Sequence, residues 1–441
     1  MPRHLMTIAI TRIACIATAI SCSLTIFTNL ACTEDVSRWP QWRGEAQNGV
    51  AEGSEFPQQW SETSGVLWKT ELAGLGGSTP VVDGKLAYLT AGIDGNNTLL
   101  AVDIESGEVI WKVAAGQDRG NKHRKGSGSN PSAVIDGDLV FAYFRSGDLV
   151  CVNKQGDIQW QTNLQQSFGE DTLWWDLGSS PMLTKTAVVV AVMQSGPSYL
   201  VAFDKKSGDQ LWKVDRMLGA PEEAAQSYAT PLAVTVHGAD AIAVMGADHL
   251  TLHSAVDGKE LGRLGGFNPK NDKFFRSISS PVAEGNIIVC PYSRGGTITA
   301  VDMNALADGK GKEAILWHRD DLGSDVPTPA ALNGRIYVVG DKAKGLISCL
   351  EIKTGETLWE VQLPKSRTGF SSSPLVAGNF LYVTQENATT YVIGPLAADQ
   401  PEVVATNELA DDEPFTVASP APAGSSLLIR SRHCLYRIAG K

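Results

Sequence analysis

Apolar residues along this chain fall in short runs, and turn signals cut the runs at regular places. Residues 78–113, STPVVDGKLAYLTAGIDGNNTLLAVDIESGEVIWKV, show the pattern. The runs are rich in Val, Leu, Ile and Tyr, the residues that fit a pleated surface, and each is too short for a helix. They predict four strands, at 79–82, 86–91, 98–104 and 109–113, with a longer loop at 92–97. Glycines in the Asp-Gly and Ser-Gly turns supply the backbone freedom that tight turns need. No helical period appears between residues 75 and 441.

The unit repeats. Pro80, Pro131, Pro181, Pro231, Pro281, Pro329, Pro374 and Pro420 each follow Ser, Thr or Asn, at intervals of 45 to 51 residues. Fixed periods of this size mark repeat architectures, and eight units are expected. Each unit closes on a run such as EVIWKV, but one such run, VLWKTEL at 66–72, has no unit in front of it. The last unit, 419–441, holds only three strands. Four-stranded antiparallel units that must stack on neighbours predict an all-β, eight-bladed β-propeller, with the strand at about 66–72 completing the last blade. Six of the eleven tryptophans hold one place in the closing run: Trp68, Trp111, Trp160, Trp212, Trp317 and Trp359. Their repetition predicts a structural role, each ring packed between blades on a glycine turn of the neighbour. Repeats four (ELGRL, 260–264) and seven (EVVAT, 402–406) lack the tryptophan, and weaker blades are expected there.

Composition narrows the function. The net charge of −11 over 441 residues argues against a nucleic-acid backbone or an anionic membrane surface as the main partner. Residues 1–31 carry Arg3 and Arg12 and then an uncharged run, which reads as a signal peptide or a membrane anchor. Cys22 or Cys32 stands where a lipoprotein would be cleaved, with Ala19 and Asn29 in place of the usual leucine. An N-terminal arm, 32–63, then leads into the propeller, 64–441. Localisation in the periplasm or cell envelope follows, with membrane contact only through the leader or a lipid anchor, and a monomer. Cys151, Cys290, Cys349 and Cys434 are spread singly and are expected as buried free thiols. The histidines are scattered, so no metal site is expected. GKGK (309–312) is not a phosphate loop, since no strand–loop–helix surrounds it; it extends the third-to-fourth strand turn of repeat five.

The runs AVDIESGEVIW (101–111), VAFDKKSGDQLW (201–212) and CLEIKTGETLW (349–359) resemble the PQQ-type propeller repeat. That repeat builds quinoprotein dehydrogenases and a non-catalytic outer-membrane assembly lipoprotein of the β-barrel machinery. The segment WPQWRGEAQNGV (39–50) is similar to one in exported PQQ-like proteins of planctomycete-type bacteria. The resemblance implies a binding or scaffold module of the cell envelope. It implies as an alternative a PQQ-dependent oxidoreductase of alcohols or sugars, with PQQ and calcium. Catalytic members carry an adjacent cysteine pair and a Glu/Asn/Asp calcium set; this sequence has no adjacent cysteines, and no such set maps onto it. No catalytic residue is assigned.

Propeller topology brings the loops before each first strand to one mouth of the channel. Those loops hold His123 and Lys125 in a basic run, the adjacent Trp174 and Trp175 with Asp176, Tyr228, Phe275 with Arg276, and Phe370. Aromatic walls with cations predict a site for a small anionic or planar ligand, or for an envelope protein. Alternatively the aromatics plug the channel and the cations are solvated. His123 is a candidate base if Asp176 or Glu170 orients it.

Overall fold

The computed structural model describes residues 37–439 except 62, 341–344 and 412–413. The leader expected at 1–31 lies outside the described residues. The strands form eight antiparallel sheets, the blades of a propeller, and two of the sheets gain a fifth strand from the arm.

Blade 1 comprises Val81–Asp83, Leu86–Ile93, Asn96–Asp103 and Val109–Gln117. The loop expected at 92–97 is mostly strand. Ile93 pairs with Asn96 across Asp94 and Gly95, both at positive φ, which is the tight hairpin turn that extends the sheet. Inner strands are buried on both faces, so their apolar runs are continuous. Outer strands have one wet face and alternate, as Val66–Glu71 does residue by residue.

The seam closes as the repeat pattern predicts. Val66–Glu71 runs antiparallel to Cys434–Ile438, with Val66 opposite Ile438 and Glu71 opposite Cys434. The apolar core is a set of layers between neighbouring blades; Val81, Tyr88 and Leu99 of blade 1, for example, share a layer with Ile135, Val140 and Val150 of blade 2. The four cysteines are free and buried in these layers.

Five of the repeat tryptophans lie against a glycine of the next blade: Trp68 on Gly107, Trp111 on Gly156, Trp160 on Gly208, Trp212 on Gly258 and Trp317 on Gly355. A Cβ at any of these glycines would come within 3.0 Å of the indole, and each glycine has positive φ. Four of the rings also donate their N–H to a carbonyl of that turn, at 2.8–3.0 Å. Trp359 is buried in the layer between blades 6 and 7, its ring centroid 5.9 Å from that of Tyr337.

The two blades without the tryptophan are filled differently. In blade 4, Gly262 holds the place, opposite Leu252. The short helix Met303–Ala307 of blade 5, capped by Asp302, packs there so closely that a Cβ on Gly262 would lie 2.7 Å from the Leu306 carbonyl oxygen. GKGK follows this helix, between the third and fourth strands of blade 5. In blade 7, Ala405 holds the place, opposite Val392. Trp60 of the arm is buried in the adjoining layer and sits against Gly65, with the chain fastened to blade 7 by Asn407.

The arm crosses the face opposite the candidate loops. Arg38–Trp39 adds to the inner edge of blade 1, and Val50–Ala51 adds in parallel to blade 7. Between them, Pro40 and Asn48 carbonyls accept backbone N–H groups of Ile135 in blade 2 and Ala331 in blade 6. Gln47 hydrogen-bonds Ala233 N–H and the Pro231 carbonyl in blade 4. Arg43, 3% exposed, donates to the carbonyls of Thr328 (3.0 Å) and Pro329 in blade 6. Burial disfavours its charged form and lowers its pKa. Gly44 and Gly49, both at positive φ, leave room for the Trp39 ring and the Arg43 guanidinium respectively. The segment 39–50 is therefore a strut across one mouth of the channel.

Candidate functional site

At the waist of the channel, one hydroxyl per blade closes a ring. The backbone N–H of Thr79 donates to Ser132 Oγ, and the same bond runs from Ser132 to Ser180, then to Thr230, Ser280, Thr328, Ser373 and Ser419, and back to Thr79. All eight bonds measure 2.8–3.0 Å. The preceding residue often adds a second latch: Ser179, Ser279 and Ser372 donate their hydroxyls to carbonyls of the next blade. This is the physical content of the Ser-Ser-Pro repeats. It also corrects their register in blade 2, where Ser132 follows Pro131 and Ala133 stands where the other blades have proline.

The eight ring residues line a cavity of about 440 Å³. Trp42 of the arm also lines it, so the strut closes it from one side, and the candidate loops surround the other. The result is a cup with one open mouth.

Of the residues predicted for the site, His123, Lys125, Trp175, Asp176, Tyr228 and Arg276 line the cup. Three do not. Trp174 is 44% exposed and lies off the cup. Phe275 does not line it, and Phe370 is buried in the layer between blades 6 and 7. Loop position alone does not tell which way a side chain points. Arg294, in the tight second-to-third strand turn of blade 5, and Asp325 were not singled out by the sequence, yet both line the cup. The signal for Asp325 was its spacing of 49 residues, one repeat, from Arg276.

The charges at the mouth, Arg294 apart, are engaged with one another or with backbone. Arg276 binds Asp325 through two nitrogens, at 2.8 and 2.9 Å, and lies 3.7 Å from Glu223. Lys125 pairs with Glu386 at 2.6 Å. Asp176 accepts the backbone N–H groups of Lys122 and His123 at 2.8 Å each and lies 3.7 Å from Arg145. It thus fixes the 122–123 loop and makes no bond to the imidazole. His123 Nδ1 instead faces the Lys125 N–H at 3.3 Å, and its ring stands edge-on to Trp175, centroids 5.3 Å apart. Glu170 is exposed and makes only a backbone contact, to Gln194. The carboxylate that would orient His123 as a base is absent among the described residues.

Trp175 is held by both ends. Its indole N–H donates to Glu223 at 2.8 Å, and its backbone N–H donates to Tyr228 Oη at 3.2 Å. Tyr228 donates in turn to Gln226 at 2.9 Å, and burial pushes its phenol pKa well up. These bonds fix the ring, His123 stands against it, and 40% of the residue stays exposed.

A calcium ion takes about six to eight oxygen ligands, several of them carboxylates. Among the described residues no three or more His, Cys, Asp or Glu side chains are placed to hold a metal ion, and the cysteines stand in separate blades. The described side chains therefore offer no carboxylate set for a calcium ion.

A family model described as outer membrane protein assembly factor BamB matches residues 58–215 and 304–404. A search of curated proteins found no match. Among solved structures, BamB from Moraxella catarrhalis aligns with a TM-score of 0.61 at 14% identity, covering 85% of this chain and 99% of that one. A europium-containing methanol dehydrogenase aligns with a TM-score of 0.67 at 12% identity, covering 90% of each chain. A quinohemoprotein alcohol dehydrogenase from Comamonas testosteroni gives 0.67 at 12% identity, covering 92% of this chain and 81% of that one. At these identities the structural likeness is one of fold.

Proposed function

The chain belongs to the outer membrane protein assembly factor BamB family, and from that premise we propose that it is an exported, non-catalytic propeller of the cell envelope, acting as a scaffold that holds a ligand or partner segment in its cup. One observation carries this reading: apart from Arg294, the ionisable groups lining the mouth are bonded to one another or to backbone. Arg276 with Asp325, Lys125 with Glu386, and Asp176 with two N–H groups form a fixed frame. A general base must stand ready to take a substrate proton; the His123 ring has no orienting carboxylate among the described residues, and its Nδ1 faces the Lys125 N–H. Fixed charge pairs around an aromatic wall suit recognition, in which groups keep their protonation state throughout.

The test is a pair of measurements on the purified mature protein. Native mass spectrometry of protein isolated from its envelope fraction should give a bound species that Trp175→Ala loses. Addition of PQQ, calcium and an electron-accepting dye should give no dye reduction with alcohols or sugars. Quinone-dependent reduction would replace this reading with the oxidoreductase one.

A further inference from the structure

We propose that the cup binds a neutral saccharide; this rests on the reading of the mouth as a binding site. Three independent features select that chemistry.

The first is the hydroxyl ring. Each of its eight side chains is less than a tenth exposed and accepts one backbone N–H. None donates its own proton to a protein acceptor among the described residues. Eight O–H donors, each with a spare lone pair, therefore line one cavity. A buried donor left unpaired is costly. A polyol, whose hydroxyls both donate and accept, is the complement of such a wall.

The second is the aromatic surface. Trp42 closes the cup, and Trp175, 40% exposed, stands in its wall. The indole N–H of Trp175 is already bonded to Glu223, so what it offers a ligand is the part of its apolar ring surface that His123 leaves exposed. The C–H face of a sugar ring packs on such a surface while its hydroxyls turn to the ring of Ser and Thr.

The third is charge. An entering anion would have to displace Asp325 from Arg276 or Glu386 from Lys125, and would then sit beside Asp176 and Asp325. Like charges at that range oppose it. Arg294 alone among the described cup-lining cations forms no ion pair, and it is exposed to solvent. A neutral guest leaves every pair intact and can still hydrogen-bond their outer edges. A volume of about 440 Å³ lies within the usual range of small-molecule sites.

Calorimetry and tryptophan fluorescence on the full chain test this with maltose, cellobiose and N,N′-diacetylchitobiose, against digalacturonate as the acidic probe. At least one neutral disaccharide should bind with a Kd below about 1 mM and shift the fluorescence. Trp175→Ala should weaken it about tenfold or more, and Trp175→Phe should restore most of the loss, with the melting temperature little changed. Binding of digalacturonate alone, lost in Arg294→Gln, would overturn the inference in favour of an anion site. Neutral binding insensitive to Trp175→Ala would overturn it by placing the sugar elsewhere. If no saccharide binds but native mass spectrometry still gives a Trp175-dependent species, the saccharide inference falls and the binding reading stands. Quinone-dependent dye reduction removes both.

Discussion

The two mouths of the channel share the same eight blades and are finished in opposite ways. At the far mouth a cation is buried against carbonyls; at the near mouth cations are paired with carboxylates around an open cup. Among the described residues Arg43 has no carboxylate partner; it is 3% exposed, and its donors reach carbonyls of Thr328 and Pro329. Arg276 is paired twice, and its surroundings remain accessible to a guest. A charge buried against backbone oxygens is a fastening, because removing it leaves acceptors stranded. A charge balanced by its neighbour at a cavity edge is part of a recognition frame. The motif around Arg43, which resembles a family signature, thus belongs to the architecture, and the less regular loops carry the candidate site.

Breaking the far mouth should give the largest effect. Arg43→Ala leaves the Thr328 and Pro329 carbonyls without their donor and opens a void beneath Gly49. The expected loss is about 3 kcal/mol, from stranded acceptors and an unfilled cavity together. Urea unfolding monitored by circular dichroism checks it. Protein still folded should keep its near-mouth ligand, because Arg43 does not line the cup; loss of binding in the folded fraction would join the two mouths into one unit.

The waist lies between the mouths and should show an intermediate effect. Ser280→Ala removes the acceptor of the Thr230 N–H, at 2.9 Å. One unpaired buried N–H costs about 1–2 kcal/mol. The same substitution at Ser132, which lacks the proline register, should cost as much, since the ring bond is the same length within 0.1 Å. Thermal melts of both variants make the comparison. A smaller cost at Ser132 would mean that proline, not the hydroxyl, sets the register.

The repeat was legible because it is local: each strand, turn and closing tryptophan recurs at a fixed distance from its neighbours. Chain crossings were not legible. Nothing periodic tells that 39–50 spans the ring, or that Trp60 takes the place left by Ala405 in blade 7. The same holds for blade 4, where a helix inserted in the next blade covers Gly262 and takes the place of the missing tryptophan. At the mouth, six predicted residues reach the cup because topology fixes where their loops emerge. Trp174, Phe275 and Phe370 miss it because side-chain direction within an irregular loop is set by contacts such as the Trp174 N–H to Gln226, made across blades. Proline was taken as the marker of register, while the hydroxyl beside it forms the bond.

A pH series sharpens the near mouth. Burial raises the Tyr228 phenol above its ordinary value of 10.0. The folded state then keeps this proton where the unfolded chain loses it. The contribution is fully present below pH 10 and is lost as pH rises toward the folded pKa. Tyr228→Phe should therefore flatten the fall of melting temperature between pH 9 and 11 by up to one proton's worth. The opposite sign, a steeper fall in the variant, would show that the phenol is ionised in the fold.

The smallest effect is expected from another arginine of the near mouth. Arg294 is exposed in a turn of blade 5, at positive φ, and forms no hydrogen bond or ion pair among the described residues. Arg294→Gln keeps the backbone demand and removes only the charge. Stability should change by no more than about 0.5 kcal/mol, the range of surface substitutions. Arg43 and Arg294 carry the same guanidinium, so the ratio of their effects isolates burial and bonding as the cause. Chemical denaturation of the two variants side by side measures that ratio. A cost at Arg294 approaching that at Arg43 would mean that the rim, like the strut, fastens the ring, and the near mouth would lose its standing as a surface free to receive a guest.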